Sequence, residues 1–340
     1  MSLFPIVLAG VLAGGPAYAQ NATIMGQVMA PENGQPVGFA TISVLSQGTQ
    51  YLAGDKGRFV LTNVPVGTVR LRFKRMGFTA KDTTFSVSAS DTVQLRIEMT
   101  RLVIALPALV VSGTCTNEMP FQNKSVDLAE LFDQVNQNAE RMKLFARITP
   151  VTLQAVQVRS TRDLENHSVP MSVDTIERGL LPEWSYRPKQ VLREKNRIMM
   201  PELPHFADTA FTNNHCFHYA GQTRFGTDSV VAVDFEPVPW LDKEVDLKGT
   251  IYLRIDDYQL VGVRSTLNRI PSQIRRVLKE YTVLARFNEV APGIPVLAEI
   301  ELENRMVDPK RPGFFQTTNV FNVRRDNVKG ALTDSTHQLR

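Results

Sequence analysis

Cysteine is nearly absent: the 340 residues contain 2. A multi-bridge mini-protein and a cysteine-rich zinc cluster are excluded on that count. A dominant charge is lacking too, because 38 Lys and Arg stand against 34 Asp and Glu, whereas phosphate-driven affinity needs a dense basic stripe. Nucleic acid is set aside as a partner. Beyond the first residues no long apolar run occurs. The run Leu102 to Val111 contains Pro107 and has about half the length that spans a bilayer, so no transmembrane helix is expected. The motifs Gly-x-Ser-x-Gly, Ser-x-x-Lys, His-Glu-x-x-His and Gly-x-x-x-x-Gly-Lys are missing as well, and with them the usual nucleophile, zinc and phosphate signatures. No catalytic residue is assigned, and neither a metal nor another cofactor is expected.

What is present begins with an address. Leu3 to Ala13 is a short apolar run, closed by Gly14, Gly15, Pro16 and the small-x-small triplet Ala17-Tyr18-Ala19. This reads as a signal peptide over residues 1–19, with the mature chain starting at Gln20 and residing in the periplasm or at the outer membrane. In such a compartment the pair Cys115 and Cys216 is expected to form a disulfide, which stabilises by up to about 4.7 kcal/mol for a loop of about 100 residues.

From residue 20 to 113 short alternating runs are separated by Gly, Pro, Asn and Asp. They predict an antiparallel sandwich of six or seven strands. In Val69-Arg70-Leu71-Arg72-Phe73-Lys74 the period of two turns the apolar residues inward and the basic ones outward. That basic face suits either water or an anionic lipid or sugar. Residues 114–147 read as a connecting segment whose stretch Ser125 to Leu144 has helical period. Residues 148–325 return to alternation and predict an antiparallel sheet packed on that helix. Residues 326–340 read as a flexible tail.

The motifs Gly26-Gln27-Val28, Gly34-Gln35-Pro36-Val37-Gly38-Phe39-Ala40-Thr41-Ile42, Gly54-Asp55-Lys56-Gly57-Arg58-Phe59, Asn63-Val64-Pro65-Val66-Gly67 and Met76-Gly77-Phe78 resemble the carboxypeptidase regulatory-like domain. The resemblance implies a transthyretin-like seven-stranded sandwich that carries no peptidase chemistry. Leu106 to Gly113 is similar to the strand that leads into the plug of TonB-dependent receptors, but residues 114–340 fall short of a plug and a barrel of about 22 strands. Asp234-Phe235-Glu236-Pro237 and Gly249 to Leu260 resemble the hairpins of envelope proteins with a LolA-like curved sheet. Together with Cys115 and His215-Cys216-Phe217 they are similar to exported proteins that pair the two domain types.

Chemistry is sought first at the histidines. If His215-Cys216-Phe217-His218 is a strand, its two imidazoles face opposite ways and cannot share an ion; if it is a helix, the i, i+3 pair converges but needs a third ligand from elsewhere. His205-Phe206-Ala207-Asp208 only echoes the carboxypeptidase His-x-x-Glu motif, so no peptidase is inferred. Trp184, Tyr186 and Trp240 lie in Pro-containing loops, where an exposed ring would stack on a sugar and a buried one would cap a core. The expectation is a non-enzymatic envelope protein that binds or scaffolds at the periplasmic face of the outer membrane. Its partner is another envelope protein, a lipid or a glycan. The alternatives are a lipid or lipoprotein carrier with an apolar groove and a hydrolase with an unrecognised site.

Overall fold

Alternation builds the first body as the sequence predicts. The computed structural model describes residues 21–104, 126–148, 152–162, 168–179, 185–193, 197–199, 202–276, 278–306, 314–323 and 337–339. The leader and Cys115 lie outside them. Seven strands form the N-terminal sandwich: β1 (Asn21–Met29), β2 (Thr41–Val44), β3 (Thr49–Leu52), β4 (Arg58–Pro65), β5 (Gly67–Lys74), β6 (Lys81–Val87) and β7 (Thr92–Glu98). Val69, Leu71 and Phe73 of β5 are buried, and the Phe73 ring lies 5.5 Å from Phe59 in the core. Gly57 has φ +69 at the turn before β4, and a Cβ there would lie 2.5 Å from the Val28 carbonyl oxygen, so only glycine fits.

Two features of this body differ from expectation. β1 and β7 pair in parallel, so the sandwich is not wholly antiparallel; strand direction at a sheet edge depends on the connections and leaves no mark on local alternation. The region read as a flexible tail also contributes a strand, β19 (His337–Leu339), antiparallel to β3. It covers backbone groups that an edge strand otherwise leaves open.

The second body is a nine-stranded antiparallel sheet ordered β12-β13-β14-β15-β16-β17-β18-β8-β9. Its strands are β8 (Thr152–Arg162), β9 (Ser168–Gly179), β12 (His215–Phe225), β13 (Asp228–Pro237), β14 (Leu247–Arg254), β15 (Leu260–Leu267), β16 (Leu278–Ala291), β17 (Ile294–Met306) and β18 (Phe314–Val323). The short pair β10 (Leu192–Arg193) and β11 (Arg197–Ile198) and a four-residue helix α2 (Thr209–Thr212) precede β12. The helix α1 (Val126–Ile148) lays Leu131, Val135, Ala139 and Phe145 into the same cluster as Val233, Phe235, Ile251 and Val283 of the sheet. One apolar face of the sheet is thus covered by the helix.

Tyr281 on β16 is 9% exposed, and burial pushes its phenol up to about 12 from 10.0. Unfolded chains ionise this group first, so stability falls as pH rises from about 10 to 12, by roughly 2 kcal/mol. Denaturation midpoints across that range should drop less steeply in Tyr281→Phe than in the wild type.

Candidate functional site

The imidazole of His215 lies at the start of β12, where Asp208 caps α2 by accepting from the Ala210 N–H at 2.9 Å. Its ring stacks on Phe211 with centroids 4.0 Å apart. Nδ1 lies 2.9 Å from the Phe211 carbonyl oxygen and Nε2 lies 3.1 Å from that of Leu247. Asp246 is 3.7 Å from Nε2 and accepts from the Tyr186 hydroxyl at 2.7 Å and from the Leu247 N–H at 2.8 Å. Burial lowers the His215 pKa, against the pull of Asp246 and the two carbonyls, and burial raises that of Asp246. The Tyr186 phenol is pushed up by burial and by Asp246. His215 and Asp246 have no exposure and Tyr186 has 1%. This buried Tyr-Asp-His chain ties the 185–191 loop to the starts of β12 and β14.

α1 is buried on two sides. Gln134, Gln137, Asn138 and Arg141 follow i, i+3, i+4, i+7 spacing and all are buried, so they form one stripe of the helix. Three of them bond to backbone groups outside the helix. Gln134 accepts from the Gly77 N–H at 3.0 Å, while Asn138 donates to the Tyr258 carbonyl at 2.9 Å and accepts from the Leu260 N–H at 2.8 Å. Arg141 donates through Nε to the Gly293 carbonyl at 2.9 Å and through Nη1 to the Phe39 carbonyl. Phe39 and Tyr258 hold φ +55, a left-handed conformation that costs a bulky residue roughly 1–3 kcal/mol and persists only when surroundings impose it. The stripe welds the sandwich to the sheet. Arg75 donates to the Gly38 carbonyl at 3.1 Å beside it, its guanidinium pulled down to about 10 by burial against Asp257 and Glu289.

On the sheet face opposite the helix lies an open trough of about 470 Å³. It crosses β12 to β16. His218 sits 3.4 Å from Glu236, and Thr250 donates to Asp234 at 2.6 Å. Lys248, Arg264 and Glu280 add exposed charges of both signs. Such a surface offers donors and acceptors beside the apolar surface of Tyr219, Ala220 and Phe235, without a metal cluster among the described residues.

The residues singled out from sequence fall in different places. Cys216 is 6% exposed beside Val238 and Leu241, and its expected partner Cys115 lies outside the described residues. Trp184 also lies outside them. Tyr186 is corrected: it is buried on Asp246 and cannot stack on a ligand, because its Pro-flanked loop is drawn into the core by that hydrogen bond. Trp240 remains open at 53%. His215 and His218 occupy opposite faces of β12. His205 is buried, its Nδ1 accepting from the Glu202 N–H at 2.8 Å. The basic face of β5 belongs largely to the molecule itself, with Arg72 paired to Asp82 at 2.7 Å and Lys74 to Asp133 of α1 at 3.3 Å. Sequence reading missed Asp246, Asn138 and Arg141. The signal available was polar residues repeating at helical spacing beside an apolar stripe.

Comparison with known proteins places the first body. Residues 24–111 match the CarboxypepD_reg-like domain, and the N-terminal sandwich is such a domain. The TonB-dependent transporter Oar of Myxococcus xanthus is 31% identical over 99 residues, 28% of this chain and 9% of the transporter, so the chain covers under a tenth of that relative. A DUF1329 family protein from Desulfovibrio piger aligns over 56% of this chain and 91% of its own at 12% identity, with a TM-score of 0.28. A LolA superfamily protein from Nitrosomonas europaea aligns over 57% and 90% at 7% identity, with a TM-score of 0.29.

Proposed function

We propose that the chain is an exported, non-enzymatic envelope protein that works by binding at the periplasmic face of the outer membrane, holding the trough of its open sheet face out to a glycan. The observation that carries this reading is the trough itself. Its His218, Glu236, Lys248, Arg264 and Glu280 lie on one side of a sheet whose other side is fixed by α1, and such alternating donors and acceptors suit a hydroxyl-rich ligand. The Tyr-Asp-His chain is sealed, which argues against a hydrolytic role for it. Likeness of the sandwich to part of a TonB-dependent transporter supports the envelope setting. The disulfide belongs to the same reading, supported by the burial of Cys216.

Glycan-array binding of the mature protein tests it. Retention of a glycan by the wild type, weakened roughly tenfold or more in Lys248→Ala/Arg264→Ala, is the expected result. Equal retention by both proteins, or co-purifying lipid in native mass spectrometry with no glycan retained, would contradict it. The same spectra should show a chain that begins at Gln20 and lacks the hydrogens lost in a Cys115–Cys216 bond.

A further inference from the structure

Two cations of the trough lack what other arginines of the same sheet have. Arg286 lies 2.7 Å from Glu299 and 3.4 Å from Glu301, and Arg254 lies 2.6 Å from Asp257. Lys248 of β14 and Arg264 of β15 are exposed, and neither has a hydrogen bond or an ion pair with another described residue. The register sets Thr250 opposite Arg264 and Lys248 opposite Thr266. Lys248 and Arg264 are therefore diagonal neighbours on one face, roughly 7–8 Å apart and within reach of each other's long side chains. The carboxylates around them are engaged elsewhere. Glu236 lies 3.4 Å from His218, Asp234 accepts from the Thr250 hydroxyl at 2.6 Å, and Glu280 stands opposite Arg305 in the register of β16 and β17.

Like charges side by side on a sheet repel, and an opposite charge across the strand ordinarily relieves them. Here the cross-strand neighbours Thr250 and Thr266 carry hydroxyls and no charge. A missing counter-ion on an open face is a local conflict of the kind that proteins keep at functional sites. An anion held between the two head groups removes it. The guanidinium offers a planar fork of N–H donors that meets a carboxylate or phosphate with two parallel bonds, and the ammonium adds a point charge. The carboxylates of β13 repel an anion from their side, which fixes it toward β15, while the threonine hydroxyls and those same carboxylates suit the hydroxyls of a sugar.

We infer, resting on the glycan reading above, that the ligand of the trough is an acidic glycan whose anionic group sits between Lys248 and Arg264. A uronic-acid carboxylate and the phosphate ester of a sugar share the chemistry that this pair requires.

A glycan array that carries uronic-acid and sugar-phosphate glycans, each beside a neutral counterpart differing only at the charged position, tests it with the full mature chain. The expected result is an acidic glycan retained about tenfold or more above its neutral counterpart, with the preference shrinking as salt rises from about 0.05 to 0.5 M. Arg264→Gln and Lys248→Met, both at exposed positions, should each cut retention of the acidic glycan by about tenfold and leave the neutral one within about twofold. Arg70→Gln, which removes the same charge from an exposed position of the sandwich, should change neither. Retention of uronates assigns the pair to a carboxylate and retention of sugar phosphates to the ester; both uphold the acidic class. Neutral glycans retained as well as acidic ones, or equal losses of both in the two trough variants, overturn the acidic class and leave the glycan reading standing. Retention of no glycan at all overturns both.

Discussion

Replacing Asp246 with Ala lowers the unfolding free energy by about 3–5 kcal/mol, read from urea denaturation of the mature chain. The carboxylate has no exposure and holds three groups at once: the Tyr186 hydroxyl, the Leu247 N–H and, at 3.7 Å, the His215 ring. Truncation leaves a buried hydroxyl and imidazole facing a space that neither water nor another side chain of the cluster fills, so the full desolvation cost appears. Asp246→Asn should lose less, since an amide oxygen still accepts from Tyr186. Asp256→Ala, at an exposed turn position, should change stability by no more than about 0.5 kcal/mol. Equal losses at Asp246 and Asp256 would remove the Tyr-Asp-His chain from the account.

Asn138→Ala carries the second large effect, roughly 2–5 kcal/mol. Its side chain has no exposure, donates to the Tyr258 carbonyl and accepts from the Leu260 N–H. Without it, two buried backbone groups lose their partners, and the left-handed Tyr258 loses one of the contacts that hold it. The Tyr258 hydroxyl in turn accepts from the Ile104 N–H at 3.2 Å, at the exit of the sandwich. Damage at Asn138 should therefore spread to the first body. Hydrogen exchange would show it as faster exchange at Ile104 and Gly77 as well as at Leu260; acceleration confined to the sheet would mean that the helix stripe does not couple the bodies.

Legibility followed how local each signal was. The β5 alternation and the Gly57 turn were readable because both depend on a few adjacent residues. β9 was missed, its twelve residues interrupted by Pro170, which a sheet tolerates at an edge strand. From sequence, β12 reads as either strand or helix. Its register shifts between Tyr219 and Gly221, where Gly221 takes φ +99, so the alternation changes phase within the strand. The helix stripe was hidden for a different reason. Polar residues at helical spacing normally face water, and only the tertiary arrangement turns Gln134, Asn138 and Arg141 toward backbone groups distant in the chain. Tyr186 misled for the same reason, since its loop composition suggests exposure and a residue 60 positions away buries it.

Scanning calorimetry of the mature chain bears most directly on the welding of the two β bodies by α1. A single transition is predicted, with calorimetric and van't Hoff enthalpies equal. Two separate transitions, the first at the temperature where residues 20–113 melt alone, would contradict it.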